Sequence, residues 1–223
     1  MGGYYTQRLA GEGLRRCYEL APPRVQQYLR AEVDFVVARL RPTDLVVDLG
    51  CGYGRAMPAF ARAAHLVVGV DTSEPSLDLA RQYLHGLPNC LLMLADAARL
   101  PYVDESFDAT ICIQNGISAF HVDQGLLVRE ALRVTRSDGI VYFSTYSDAF
   151  WPYRLDWFQR QAAAGLVGEL DLDQCRDGVI VGKDGFRATT VRAPEFRALV
   201  DAVAVDLDMV EVDGSSVFYV LSK

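Results

Sequence analysis

The chain has 223 residues, a formal net charge of −7, 51% hydrophobic residues and 23% charged residues, proportions that suit one globular domain with a sizeable core. That acidity excludes broad, unassisted attraction to nucleic acid or anionic membranes. No apolar run approaches a membrane span, and residues 1–5 lack the charged and apolar regions of a signal peptide.

Residues 4–40 read as helical. One segment carries Leu14, Cys17, Tyr18 and Leu20 and stops at Pro22-Pro23; a second runs from Arg24 to Leu40 with Val25, Tyr28, Leu29, Val33, Val36 and Val37 at helical spacing. Leu45-Val46-Val47-Asp48-Leu49 is too short and apolar for a helix and reads as a strand buried on both faces. It breaks into Gly50-Cys51-Gly52-Tyr53-Gly54-Arg55, and a helix follows over 56–64 with Pro58 in its first turn. A strand, a glycine turn and a helix start place bare backbone N–H groups at the carboxyl end of a parallel strand, where open α/β sheets hold nucleotide-like ligands. The spacing is G-x-G-x-G, and Arg55 occupies the position where a dinucleotide fingerprint needs a small residue. Taken alone, the glycines equally describe a tight turn.

The second strand, Leu66 to Val70, ends in Asp71, roughly 20 residues on, where a carboxylate can accept ribose hydroxyls. Thr72 or Ser73 caps the next helix, with Glu74 and Pro75 in its first turn. Cys90 to Leu94 is a third strand, followed by Ala95-Asp96-Ala97; Phe107 to Ile113 is a fourth, delivering Gln114-Asn115 beside the glycine turn. A helix over 123–134, a Ser137-Asp138-Gly139 turn and a fifth strand, Ile140 to Thr145, complete the alternation of a parallel, doubly wound sheet.

With Asp48 to Gly54 and Gly69-Val70-Asp71-Thr72-Ser73 in hand, the chain resembles the class I S-adenosylmethionine-dependent methyltransferases. The resemblance covers residues 42–145 and 194–223. It implies a Rossmann-like α/β fold with a mostly parallel, seven-stranded sheet whose last strand is antiparallel, and S-adenosyl-L-methionine as cofactor. The implied cofactor residues are Asp48, Gly50, Cys51, Gly52, Gly54, Arg55, Asp71, Thr72, Asp96, Ala97, Gln114 and Asn115, with Asp96 on the adenine amino group and the next N–H on a ring nitrogen. By its residues alone, Asp96 equally caps the turn toward Leu100-Pro101.

The expected organisation is a single domain over 1–223. Residues 1–41 form an N-terminal helical cap, 42–145 and 194–223 the cofactor-binding core, and 146–193 a substrate-side insertion. Phe150, Trp151, Tyr153, Trp157 and Phe158 crowd that insertion, either lining an acceptor pocket or packing it onto the sheet, and a hairpin runs from Val179 to Val191. The closing strands are Val205 to Val212 and Val217 to Leu221. His121, Tyr4, Tyr5, Tyr146 and Asp148 are the candidates for a catalytic base, with His121, Tyr5 and Tyr146 put first and His121 equally readable as a solvated or capping residue. No N/D-P-P-Y/F and no Pro-Cys pair follows the fourth strand; within the resembled family this disfavours the nucleobase-methylating branches and implies a small molecule as the expected partner. Five scattered cysteines without C-x-x-C spacing fit a reduced, cytoplasmic setting and no metal site. A homodimer is left open. The competing readings are a protein that binds the cofactor without catalysing transfer, and a protein or RNA methyltransferase that needs a partner subunit.

Overall fold

The computed structural model describes residues 9–201 and 203–223. Its centre is a seven-stranded sheet in the order β3-β2-β1-β4-β5-β9-β8. The strands are β1 (Leu45–Leu49), β2 (Leu66–Asp71), β3 (Cys90–Leu94), β4 (Phe107–Cys112), β5 (Thr135–Tyr146), β8 (Asp206–Val212) and β9 (Ser216–Ser222). β1 to β5 pair in parallel, while β9 runs antiparallel to both β5 and β8. The antiparallel strand thus lies inside the sheet, because the turn at Asp213-Gly214 (φ 58° at each) folds it back between its neighbours.

Consecutive β1 valines face opposite layers, as pleating requires. Val47 joins a core with Leu127 and Val128 of α6 (Gln124–Val134) and Phe196 of α8 (Ala193–Val200). Val46 joins another with Val36 of α2 (Pro23–Val37), Phe60 of α3 (Met57–Ala63) and Leu77 of α4 (Glu74–Tyr83). The helices start where local chemistry permits. Pro23 and Pro58 occupy first-turn positions, the Ser73 hydroxyl accepts from Ser76 N–H at 3.3 Å, and the Asp123 carboxylate accepts from Leu126 N–H at 2.8 Å.

Two elements differ from the sequence expectation. β5 begins at Thr135 rather than after Gly139: Phe107 pairs with Thr135, then the register jumps so that Ala109 pairs with Ile140. Ser137 and Asp138 bulge to the surface, while the Thr135 hydroxyl is anchored to Thr110 Oγ1 and Ala131 O, each at 2.7 Å. A short helix, α5 (Gly116–Ala119), follows β4. β3 is as apolar as the strands beside it, yet Leu91 and Leu94 are more than half exposed, because residues 95–106 form turns instead of a covering helix.

The segment after β5 is a 3-10 turn (Asp148–Phe150), α7 (Trp151–Ala163) and a hairpin of two-residue strands, β6 (Ile180–Val181) and β7 (Arg187–Ala188). Phe158, Ile180 and Phe186 form a small core with Leu9 and with Cys17 of α1 (Glu12–Glu19). Trp157 donates its indole N–H to Cys17 O at 2.8 Å. α7 therefore faces α1 across the carboxyl ends of the strands. No helix of the described residues is long and apolar enough to cross a membrane.

Candidate active site

Between those two helices and the strand ends lies a cavity of about 530 Å³, within the usual range for small-molecule sites. Its floor is the glycine turn. Gly50 has φ 72°, and a Cβ there would lie 2.3 Å from the Phe120 ring, so both the backbone conformation and the packing require glycine. Gly52 and Gly54 also have positive φ, and added Cβ atoms would meet Leu14 and Leu84. The close approach permitted by these glycines therefore serves the protein's own side chains as well as a ligand.

Asp71, at the end of β2, holds this turn. Its carboxylate oxygens accept from Gly52 N–H and Ser73 N–H, each at 2.8 Å. Burial raises its pKa, and those backbone bonds pull it back. Each oxygen keeps a lone pair for a further donor such as a ribose hydroxyl. Asp96 is exposed beside buried Ala97 and accepts from Ala98 N–H at 2.8 Å, so it forms the local turn and also lines the cavity. Thr72 and Cys51 also line the cavity; burial pushes the Cys51 thiol far up, which keeps it protonated.

Asp48 is 5% exposed and lines the cavity, and its side chain accepts no hydrogen bond among the described residues. Burial raises its pKa to about 7, opposed by the nearby Arg55 guanidinium. Arg55 lies over the Tyr18 ring at 4.9 Å, with Nε and Nη2 buried and without hydrogen-bond partners among the described residues. A carboxylate and a guanidinium with spare capacity on one wall fit a ligand bearing an ammonium and a carboxylate, the amino-acid end of S-adenosylmethionine.

At the end of β4, Gln114 and Asn115 are both left-handed (φ 57° and 61°), an unusual pair for residues with side chains. Hydrogen bonds hold them there. Gln114 N–H donates to Glu32 Oε2 (2.9 Å) and Ser144 Oγ (2.8 Å), and the Gln114 side chain accepts from the Tyr18 hydroxyl at 2.8 Å. Asn115 accepts from the Thr145 hydroxyl and donates to Thr189 O, each at 2.9 Å. Glu32 is fully buried, and burial raises its pKa to about 7 against hydrogen bonds from Ser144, Ser216 and Gln114.

The opposite wall comes from α7. Arg154, Trp157, Phe158 and Gln161 all line the cavity, on one helical stripe. Arg154 is 1% exposed. Its guanidinium donates to Gly178 O and Thr190 Oγ1 at 2.7 Å, and lies over the Tyr146 ring at 4.3 Å. Tyr146 lines the cavity too; burial raises its pKa, holding the phenol protonated. His121 stands at the exposed edge of the cavity with φ 53°. Tyr4 and Tyr5 lie outside the described residues. Phe150 is wholly buried against Tyr28 and Tyr153 is largely exposed, so the insertion's aromatics divide between packing and lining.

Glu32, Arg154 and Gln161 were not singled out in the sequence. A signal existed for each: Glu32 interrupts the apolar face between Leu29 and Val33, and Arg154 and Gln161 share the stripe of Trp157 and Phe158.

Residues 46–139 match the family described as a methyltransferase domain. Over those residues the chain carries a methyltransferase domain, set in the seven-stranded sheet of the class I fold. Methyltransferase GfsG of Streptomyces halstedii is 38% identical over 171 residues, covering 73% of this chain and 52% of that protein. A demethylmenaquinone methyltransferase of Streptomyces griseus is 31% identical over 115 residues, covering 51% of this chain and 48% of its own. The chain thus spans about half the length of these curated relatives. Among solved structures, a Pyrococcus horikoshii protein superposes with a TM-score of 0.66 at 20% identity, covering 91% of this chain and 92% of that one, which places the methyltransferase domain in a shared fold.

Proposed function

We propose that this chain is a methyltransferase that moves a methyl group from S-adenosyl-L-methionine to a small-molecule acceptor by in-line displacement. The observation that carries the reading is the cavity's two-sided construction. One wall holds Asp48, Arg55, Asp71 and Asp96 beside the glycine turn, and the other holds an aromatic stripe from α7. When bound, S-adenosylmethionine supplies an electrophilic methyl group on its sulfonium. Asp48 and Arg55 receive the amino-acid end, Asp71 the ribose, and Asp96 with the Ala97 N–H the adenine.

Bound here, S-adenosylmethionine would offer that methyl group to an acceptor lone pair held in line with it, its sulfur keeping the electron pair. This chain's residues contribute by placement: the hydrogen-bonded Gln114-Asn115 corner fixes the wall next to the reacting centre, and α7 excludes water. Tyr146 keeps its proton and serves as wall rather than base. The acidic surface favours a small acceptor over nucleic acid, and scattered free cysteines favour a cytoplasmic setting.

The test is calorimetric titration with S-adenosylmethionine and with S-adenosylhomocysteine, followed by transfer of labelled methyl into a metabolite extract. Asp71→Ala is expected to weaken cofactor binding by roughly 1–3 kcal/mol. Unchanged affinity in a folded Asp71→Ala protein would remove the assignment. Tight binding with no label transferred to any acceptor would favour a cofactor-binding protein without transferase activity.

A further inference from the structure

The charges around the cavity are unevenly divided. Its carboxylates, Asp48, Asp71 and Asp96, stand at the ends of β1, β2 and β3, on the glycine-turn side. The α7 wall contributes none, and residues 1–8 contain no Asp or Glu that could add one. What α7 does contribute is Arg154, whose hydrogen bonds to Gly178, Ala188, Thr189 and Thr190 fix a positive charge at that wall. One turn on from Trp157 and Phe158, Gln161 is 3% exposed and lines the cavity. Its carbonyl accepts from Leu166 N–H, but its side-chain amide makes no hydrogen bond among the described residues.

A buried amide without a partner leaves hydrogen-bonding capacity unused in a water-poor space, and a ligand that completes it gains accordingly. The surrounding surfaces are aromatic, from Tyr18, Trp157 and Phe158. A cationic acceptor would meet Arg154 with no carboxylate on that wall to offset the repulsion. An oxyanion would be favoured by the guanidinium and could accept from the Gln161 NH₂.

We propose that the α7 wall is an acceptor site for an oxygen acid, a phenol, enol or carboxylic acid, carried on a flat apolar body, with Gln161 hydrogen-bonding the acidic group on the wall that carries Arg154. This deepens the methyl-transfer reading and rests on it. It also accounts for chemistry without a dedicated base: an acidic hydroxyl releases its proton to solvent before transfer, and the site holds the resulting anion.

The experiment measures binding of three probes of one shape, 2-naphthol, 2-naphthoate and 2-naphthylmethylammonium, to protein saturated with S-adenosylhomocysteine. Naphthoate and naphthol should bind at least ~10-fold more tightly than the ammonium. Gln161→Met should weaken naphthoate roughly 10-fold or more while leaving S-adenosylhomocysteine affinity unchanged, the range for a hydrogen bond to a charged group. Gln161→Glu, a near-isosteric change, should reverse the order of the probes and provides the test should Gln161→Met not fold. Equal or tighter binding of the ammonium, no binding of any probe, or indifference of naphthoate to both substitutions would overturn the proposal. Failure of S-adenosylhomocysteine itself to bind would instead remove the methyl-transfer reading, and this inference with it.

Discussion

Glu32 offers a quantitative check on how the β4 corner of the site is built. It is fully buried between α2, β5 and β9, and its pKa rises from its ordinary 4.5 to about 7, chiefly through burial. A raised carboxyl destabilises the fold once it must ionise: below the unfolded value it costs nothing, and above it the unfolded chain surrenders its proton first. Stability is therefore lost as pH climbs from the unfolded value through the folded one. For these two values the loss between about pH 5 and pH 8 is ~2.5 kcal/mol. Glu32→Gln removes the titration but keeps the geometry. Its amide oxygen still accepts from Gln114 N–H, and the Ser216 and Ser144 hydroxyls can turn to accept from the new NH₂. The assay is urea unfolding of ligand-free wild type and variant across that pH range. Asp48 titrates in both proteins and largely cancels, so the gap in favour of the variant should widen with pH by ~2 kcal/mol or more. A gap that stays constant across the range would show that Glu32 is not a buried, titrating carboxyl, and the account of the β4 corner would fail with it.

Gly50→Ala should abolish cofactor binding and lower stability by about 1–2 kcal/mol, since alanine is strained at φ 72° and its Cβ meets Phe120; a thermal melt with a cofactor titration checks both. Trp157→Phe removes the bond to Cys17 O and should cost about 1 kcal/mol in denaturant unfolding while leaving cofactor affinity nearly intact. His121→Asn should reduce single-turnover transfer by less than the roughly 10²-fold minimum expected on removing a general base. A larger loss, with cofactor affinity intact, would make His121 the base.

The sheet was legible because its strands announce themselves as short apolar runs stopped by glycine or aspartate, from Val46-Val47 to Val67-Val68. Strand burial was less so. Cys90 to Leu94 is as apolar as its neighbours, but whether a helix covers it depends on residues 95–106, which carry no helical periodicity. The β5 bulge was hidden because Ser-Asp-Gly also makes a good turn, and only the pairing of Thr135 with Phe107 distinguishes the two. In the site, glycines and aspartates at strand ends are tied to position by the backbone, so their spacing could be read. Glu32, Arg154 and Gln161 come from helices outside the βα repeat. Their depth depends on how α2 and α7 dock, a long-range fact that no local pattern encodes.

The contacts that join the insertion to the rest of the molecule bear on how such a chain can change. Arg154 grips Gly178, Ala188 and Thr189 by their carbonyl oxygens, Asn115 takes Thr189 O, and the Tyr219 hydroxyl takes Val191 O. A carbonyl oxygen is present whatever side chain its residue bears. Stretches of the 178–191 segment can therefore drift in sequence while the clamp that seats them persists. The side chains bound to that seat are those of the small core, Ile180 and Phe186 among them, and the Thr190 hydroxyl that Arg154 meets.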